Sequence, residues 1–201
     1  ALGTLAIVAE GRPLTERQAQ RRSRVIAAAL ELAAEGGYEG VQMRDVAQRA
    51  DVALGTVYHY FTSKDHLLAE SMVVYIRQLA DWVEHYPAVG TNTYERVQDL
   101  LGRMTRAIAR NQQVSAALVG GLVAEGPQVA ACQDEMHEVF ASVMATAFGP
   151  DVPDHDRDRI IRTLEHVWFS CQIAWKNGWM PLDRAIAELE ASAEVLFSGR
   201  H

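Results

Sequence analysis

Apolar residues along this 201-residue chain recur at intervals of three and four, and nowhere alternate with the period of two that a half-buried strand requires. The pattern predicts an all-α fold. Thr15 and Gln18 form a capping-box pair at the start of a first helix that buries Val25, Ile26, Ala29, Leu32 and Ala33 and ends at Gly36 and Gly37. Two short helical patterns follow, Met43 to Ala50 and Leu54 to Tyr60, with a turn at Asp51, Val52 and Ala53 between them. Ser63 caps a long helix to Tyr86, stopped by Pro87, whose apolar stripe includes Leu68, Ile76, Leu79, Trp82 and Val83. Asn92 with Glu95 opens a helix to about Arg110, and a shorter one spans about Val114 to Ala124. A helix over Val129 to Phe148 precedes the break at Gly149 and Pro150, and the last two helices are expected over about Asp154 to Asn177 and Leu182 to Phe197.

The two short patterns read together as a helix-turn-helix. Val46, Ala47 and Ala50 share one face of the first, while Val57 and then Phe61 can point inward from the second. That leaves Gly55, Thr56, Tyr58, His59 and Tyr60 on the other sides, a set suited to base edges and phosphates in a major groove. The two tyrosines could instead pack on the first helix, as aromatics often do. Ahead of the motif, Arg12 to Arg24 holds five arginines against Glu16 alone. Such a run is either a basic arm for phosphates or a solvated helix face.

The total charge of −7 argues against a general nucleic-acid coat, but the charge is uneven. Residues 1–65 carry equal numbers of basic and acidic side chains, so the whole deficit lies beyond them. A hydrophobic share of 49% is enough for a sizeable core in one or two domains. Cys132 and Cys171 sit in apolar helical patterns without CxxC spacing, which points to small buried hydrophobes in a reducing compartment and away from a disulfide or zinc site. No apolar run approaches the roughly 20 residues of a membrane span. The opening ALGTLAIVAEGRP is too short and lacks the basic start of a secretory signal, so a cytoplasmic protein without a membrane partner is expected. There is no GxSxG elbow, dinucleotide glycine fingerprint, P-loop or HExxH helix, and the seven histidines have no ligand spacing, so the expectation is no enzyme, no metal and no cofactor.

Near the end of the chain, Ile161, Leu164, Trp168, Cys171 and Trp175 advance by threes and fours, as do Leu182, Ile186, Leu189, Ala193 and Leu196. These seams suit a two-fold four-helix interface with a second copy, or an ordinary core within one subunit.

The string AALELAAEGGYEGVQMRDVAQRADVALGTVYHYFTSKDHLL, with the V-x-x-G-T-V-Y-x-Y-F-x-S-K run from Val52 to Lys64 inside it, resembles the TetR family of one-component transcriptional regulators. The resemblance is closest over about Arg21 to Leu68. It implies a homodimer of nine-helix subunits: an N-terminal arm and three-helix DNA-binding head over residues 1–64, and an effector-binding and dimerisation domain over 65–201. Carried over by position, Arg44 resembles the family's base-contacting residue, since an arginine can donate twice to guanine O6 and N7. Leu54, Gly55 and Thr56 open the recognition helix, and Tyr58, Tyr60 and Lys64 match phosphate-fixing positions with His59 among them. Gln42 and Met43 stand where a threonine often caps the second helix and touches the DNA backbone. A narrower likeness, through GGYEGVQMRDVAQRADVALGTVYHYF, RAIARNQQVSAAL and VWFSCQIAW, is to the KstR-type branch that represses steroid and cholesterol catabolism genes and responds to a coenzyme A thioester of a steroid acid. A sensor of fatty acyl thioesters or drugs, and a DNA-binding module with no small-molecule effector, are the alternatives.

An effector pocket between helices is mostly apolar with few polar groups. Met72, Tyr75, Met104, Leu118, Leu122, Phe140, Met144, Trp168 and Trp175 are bulky and in part flexible, which suits a large hydrophobic ligand, and each could equally fill a core. Arg96, Arg103, Arg106 and Arg110 fall on one face of their helix, either to hold phosphates or a carboxylate or as a solvated face paired with Glu95 and Asp99. A ligand seated here would tilt the Ser63 to Tyr86 helix and change the separation of the two recognition helices.

Overall fold

The computed structural model describes the backbone of residues 8–9 and 12–198. A two-residue antiparallel pair, β1 (Val8–Ala9) and β2 (Arg12–Pro13), comes first, too short to leave a period in the sequence. The remaining regular structure among the described residues is helical: α1 (Glu16–Gly40), α2 (Met43–Arg49), α3 (Leu54–Tyr60), α4 (Lys64–His85), α5 (Thr93–Ala109), α6 (Gln112–Leu122), α7 (Pro127–Ala145), α8 (Asp154–Lys176) and α9 (Leu182–Phe197). The fold is all-α, as the pattern predicts.

Local chemistry sets most of these boundaries. The Thr15 box closes in both directions, with the Gln18 amide donating to Thr15 Oγ1 and the Thr15 amide to Gln18 Oε1 at 2.8 Å. Gly37, at φ +61° and ψ −154°, breaks the helical path where the glycine pair predicts, and a last turn carries α1 on to Gly40. Ser63, Asn92 and Asn111 cap α4, α5 and α6 by accepting from the amide three residues on. Glu95 does not complete a box with Asn92, because its carboxylate takes the Thr91 amide at 2.6 Å. Asn111 starts α6 two residues earlier than the apolar pattern alone suggests.

α6 lies against both α1 and α4, with α7 also packed on α4, so the first turns of α4 are enclosed between the N-terminal helices and the rest of the molecule. The contact with α6 is close. A Cβ on Gly121 would stand 2.5 Å from Leu68 Cβ and 2.9 Å from the Asp65 carbonyl oxygen, and one on Gly120 would stand 3.1 Å from the Tyr38 ring. Two adjacent glycines in a helix interior cost helical stability, and here the cost is offset by backbone approach.

The seams on α8 and α9 correct one expectation. Ile161, Leu164, Trp168, Cys171 and Trp175, with Leu189 and Ala193, are all buried inside a single subunit. α9 packs on α5, where the Tyr94 and Phe197 rings lie 5.8 Å apart. A stripe of period 3.6 states which face is buried but not by what. The surface these helices leave outside carries Val195, 74% exposed, and the small Ala187, Ala191 and Ser170. Among the described residues no single helix is long and apolar enough to cross a membrane.

Candidate functional site

α2 and α3 meet across a turn at Asp51, whose φ of +52° lies in the left-handed region that Asp tolerates better than most residues. The Val52 amide then donates to the Ala47 carbonyl at 3.0 Å, fixing the angle between the helices. Val46, Ala47, Val57 and Phe61 are buried between α1, α2 and α3. Arg49 ties α2 to α1 through a two-pronged bond to Glu35 at 2.5 and 3.0 Å, which holds the exposed Glu35 carboxyl below its usual range.

The outward residues are Arg44 on α2 and Leu54, Gly55, Tyr58 and His59 on α3, with Thr56 and Tyr60 half-buried. Arg44 makes no ion pair with any described residue. A Cβ at Gly55 would meet nothing within 4 Å, so the subunit's own packing does not require glycine there. Gln42 is exposed and donates to the Glu39 carbonyl at 3.0 Å, leaving α2 without a side-chain cap.

Three positions read as possible DNA contacts are engaged within the subunit. Met43 is turned inward and buried, because at the first position of so short a helix it supplies apolar contact to the head. The Lys64 ammonium lies 3.8 Å from the centre of the Tyr38 ring and donates to the Tyr38 carbonyl at 3.3 Å, so a phosphate would have to compete for it. From the basic arm, Arg22 is buried and pairs with Glu70 at 2.5 Å, while Arg17, Arg21 and Arg24 are exposed. The side chain of Arg12 lies outside the described residues.

The Arg22–Glu70 pair belongs to a junction that local sequence reasoning misses. His66 Nε2 stands 3.6 Å from Glu70 Oε1, and the donor atoms of His66, Glu70 and Cys132 of α7 lie within 4.8 Å of one another. Within the subunit these groups are held by hydrogen bonds and burial. His66 Nδ1 accepts the Thr62 amide at 3.1 Å, which places the neutral ring's proton on Nε2, facing Glu70. Burial, with the Glu70 and Glu135 charges, pushes the Cys132 thiol up to about 12. Burial opposes ionisation of Glu70, yet hydrogen bonds from His66 and Arg22 and the Arg22 charge outweigh it and hold the carboxyl low. Beside this junction the Tyr38 hydroxyl donates to Asp65, and burial followed by that bond raises Tyr38 to about 12.

The expected effector residues divide. Met72, Met104, Leu118, Phe140, Met144 and Trp175 are buried as core and line neither of the two clefts described next. Tyr75 lines a cleft of about 540 Å³ between α4 and α5, together with Gln78, Leu79, Trp82, Arg103, Arg106, Ala107 and Arg110. Leu122 and Trp168 line a second cleft of about 250 Å³ between α6, α7 and α8, beside the paired His137 and Glu165. Trp168 is otherwise held inside, its Nε1 donating to Thr105 Oγ1 at 3.2 Å and its ring 5.4 Å from Phe140. The arginine line also divides. Arg96 is a structural tether, donating to the Ala147 carbonyl at 2.7 Å, whereas Arg103, Arg106 and Arg110 form one wall of the larger cleft.

Residues 25–71 match the model for bacterial regulatory proteins of the tetR family, and residues 90–196 match that for the tetracyclin repressor-like C-terminal domain. The chain belongs to the TetR family. Among TetR proteins it is 34% identical to the HTH-type transcriptional repressor KstR of Mycolicibacterium smegmatis over 171 residues, 85% of this chain and 84% of that protein. A TetR transcriptional regulator from Rhodococcus sp. RHA1 has a similar structure, with a TM-score of 0.79 at 30% identity over 92% of this chain and 99% of the other. The fold is shared with Thermus thermophilus FadR, a TetR repressor solved in complex with lauroyl-CoA, at a TM-score of 0.66 and 20% identity over 89% and 94% of the two chains. The likeness to the KstR branch is thereby confirmed, and α2 with α3 is the helix-turn-helix of a TetR-type regulator. TetR regulators bind DNA and dimerise, and they are not enzymes.

Proposed function

We propose that this TetR protein is a repressor that grips a palindromic operator as a dimer and leaves it when a large hydrophobic acid binds as its coenzyme A thioester. A steroid acid is the class we favour, with lipid or steroid catabolism genes under control. The observation that carries the DNA reading is the outward face of α3, where Leu54, Gly55, Tyr58 and His59 are uncovered and Gly55 has no internal reason to be glycine. Close approach to another surface is such a reason. Arg44, free of intramolecular partners among the described residues, would read a base, while Tyr58 and Tyr60 fix phosphates. The outer surfaces of α8 and α9 would join the two copies.

The KstR relationship supports the steroid class, and an arginine-walled cleft supports a phosphate-bearing ligand. FadR with lauroyl-CoA favours a second reading, a fatty acyl thioester. Release follows from geometry. A ligand that parts α4 from its neighbours would move the head that α4 carries, and half-sites about 34 to 36 Å apart do not tolerate a splay of a few ångströms.

The test is to follow operator binding and thermal unfolding with steroid-acid thioesters, fatty acyl thioesters and the free acids. A ligand at 100 times its dissociation constant adds about 2.7 kcal/mol, roughly 5 to 10 °C for a chain of this size. The steroid thioester is expected to give that shift and release the operator. A response confined to fatty acyl thioesters selects the second reading, and no response to any of them contradicts the effector proposal.

A further inference from the structure

The larger cleft has two walls of different chemistry. α5 contributes Arg103 and Arg106 and its C-cap Arg110, at spacings of three and four that stack them along one face. α4 contributes Tyr75, Leu79 and Trp82. Trp82 is 40% exposed, unusual for so large an apolar ring, and Tyr86 lies 5.2 Å from it. This concentration of positive charge stands in the part of the chain that holds the entire deficit of −7.

Arg103 is held against the cleft wall rather than extended into solvent. Its Nη1 donates to the Tyr86 carbonyl at 2.9 Å and its guanidinium lies 5.0 Å from the centre of the Trp82 ring. Asp99 Oδ2 pairs with Nη2 at 2.9 Å, and Nε is buried without an acceptor among the described residues. A buried donor of a cation without an acceptor is costly, and an anion in the cleft would supply one. Arg106 and Arg110 are exposed beside it and free to close on further negative charge.

We propose that this α4–α5 cleft binds the nucleotide end of coenzyme A, with the adenine stacked on Trp82 and the phosphates on Arg103, Arg106 and Arg110. The volume, about 540 Å³, falls within the roughly 300 to 1,000 Å³ of small-molecule sites. Aromatic stacking with arginine contacts to phosphate is the common chemistry of nucleotide capture. The inference rests on the thioester reading above and adds the place where the ligand is recognised. At the cleft floor the Tyr75 hydroxyl donates to the Ala107 carbonyl at 2.8 Å, closing α4 onto α5. One helical turn before Tyr75 is Met72, and next to Arg103 is Met104, both buried. Opening the Tyr75 bond would therefore lead the acyl arm from the cleft into the core along α4.

Coenzyme A, 3′-dephospho-coenzyme A and pantetheine are the probes, titrated by tryptophan fluorescence and calorimetry into the full chain and into Arg106→Gln/Arg110→Gln and Trp82→Leu variants. Coenzyme A is expected to bind the unaltered chain and to lose about tenfold or more in affinity in the double variant. It should bind more weakly without the 3′-phosphate and leave emission nearly unchanged in Trp82→Leu. All three altered positions are exposed, so melting without ligand should hold. Equal coenzyme A affinity in the double variant, pantetheine binding as tightly as coenzyme A, or no coenzyme A binding at low salt would each overturn the site. Operator release separates the two proposals. Thioesters that release the operator equally from both forms remove the cleft and keep the effector reading, whereas arginine-dependent coenzyme A binding without release by any thioester does the reverse.

Discussion

Gly121→Val is expected to destabilise the protein by about 3 kcal/mol, the upper end of what overpacking usually costs. The valine Cβ would arrive 2.5 Å from Leu68 Cβ and 2.9 Å from the Asp65 carbonyl oxygen. The second is backbone inside α4 and cannot turn aside as a flexible side-chain tip could. α6 would have to move off the first turns of α4, which are held by the Ser63 cap on one side and by α7 on another. Better helix propensity returns only about 0.5 kcal/mol or less for valine over glycine, so the clash wins. Gly36→Ala is the control, because a Cβ there meets nothing within 4 Å, and a gain of up to about 1 kcal/mol is expected. Urea unfolding of the two variants beside the parent chain measures both. Parent-like stability in Gly121→Val would mean that α6 is not wedged against α4.

Glu70→Gln is expected to cost about 2 to 3 kcal/mol at neutral pH, less than the 3 to 5 of a fully buried pair because the Glu70 side chain is 25% exposed. The loss arises from leaving the Arg22 charge buried without its partner. Its pH dependence has a definite sign. The Glu70 carboxyl is held below its ordinary value of 4.5, so its contribution is complete above that value and disappears as pH falls through the lowered one. The gap between parent and variant should therefore close in acid. Glu135 on α7 is shifted the other way, upward, by burial and in part by the Glu70 charge, so removing that charge lowers it toward its ordinary value and adds a smaller contribution of its own to the difference. Unfolding free energies compared at pH 7 and below pH 4 decide the matter, and a gap that stays constant with pH would show that the charge on Glu70 is not what stabilises the junction.

The order of helices was legible in the chain because caps and periodicity act over three or four residues. Thr15, Ser63 and Asn92 each cap the helix they announce, and Leu54 to Tyr60 and Leu182 to Phe197 are helical over the predicted bounds. The partner of each face was not legible. The α8 seam reads identically whether it meets a second copy or α9 of its own subunit. Lys64 follows the family pattern and Met43 departs from it, yet burial and the Tyr38 ring decide where they point. Arg22 looks like one of five arm arginines until Glu70, 48 residues away, is brought against it. Arg96 and Arg103 share a helical face, and the Ala147 carbonyl, with Thr93 and Asp151, takes Arg96 out of the cleft wall's chemistry. The glycine pair in α6 did carry a signal, since two glycines inside a helical pattern mark a close approach, but not the helix approached.

The central claim is that two copies present their α3 faces to one palindrome, with Arg44 reading a base. Footprinting on duplexes from the chain's own genomic neighbourhood, at modest ionic strength, tests it most directly when the parent chain and Arg44→Ala are compared. The expected result is a protected palindrome with half-sites about one helical turn apart or a multiple of it, and a loss in Arg44→Ala of about 1 to 3 kcal/mol of discrimination at one base pair per half-site. Absence of any protected palindrome, or a loss in Arg44→Ala that is equal on every sequence, would contradict it.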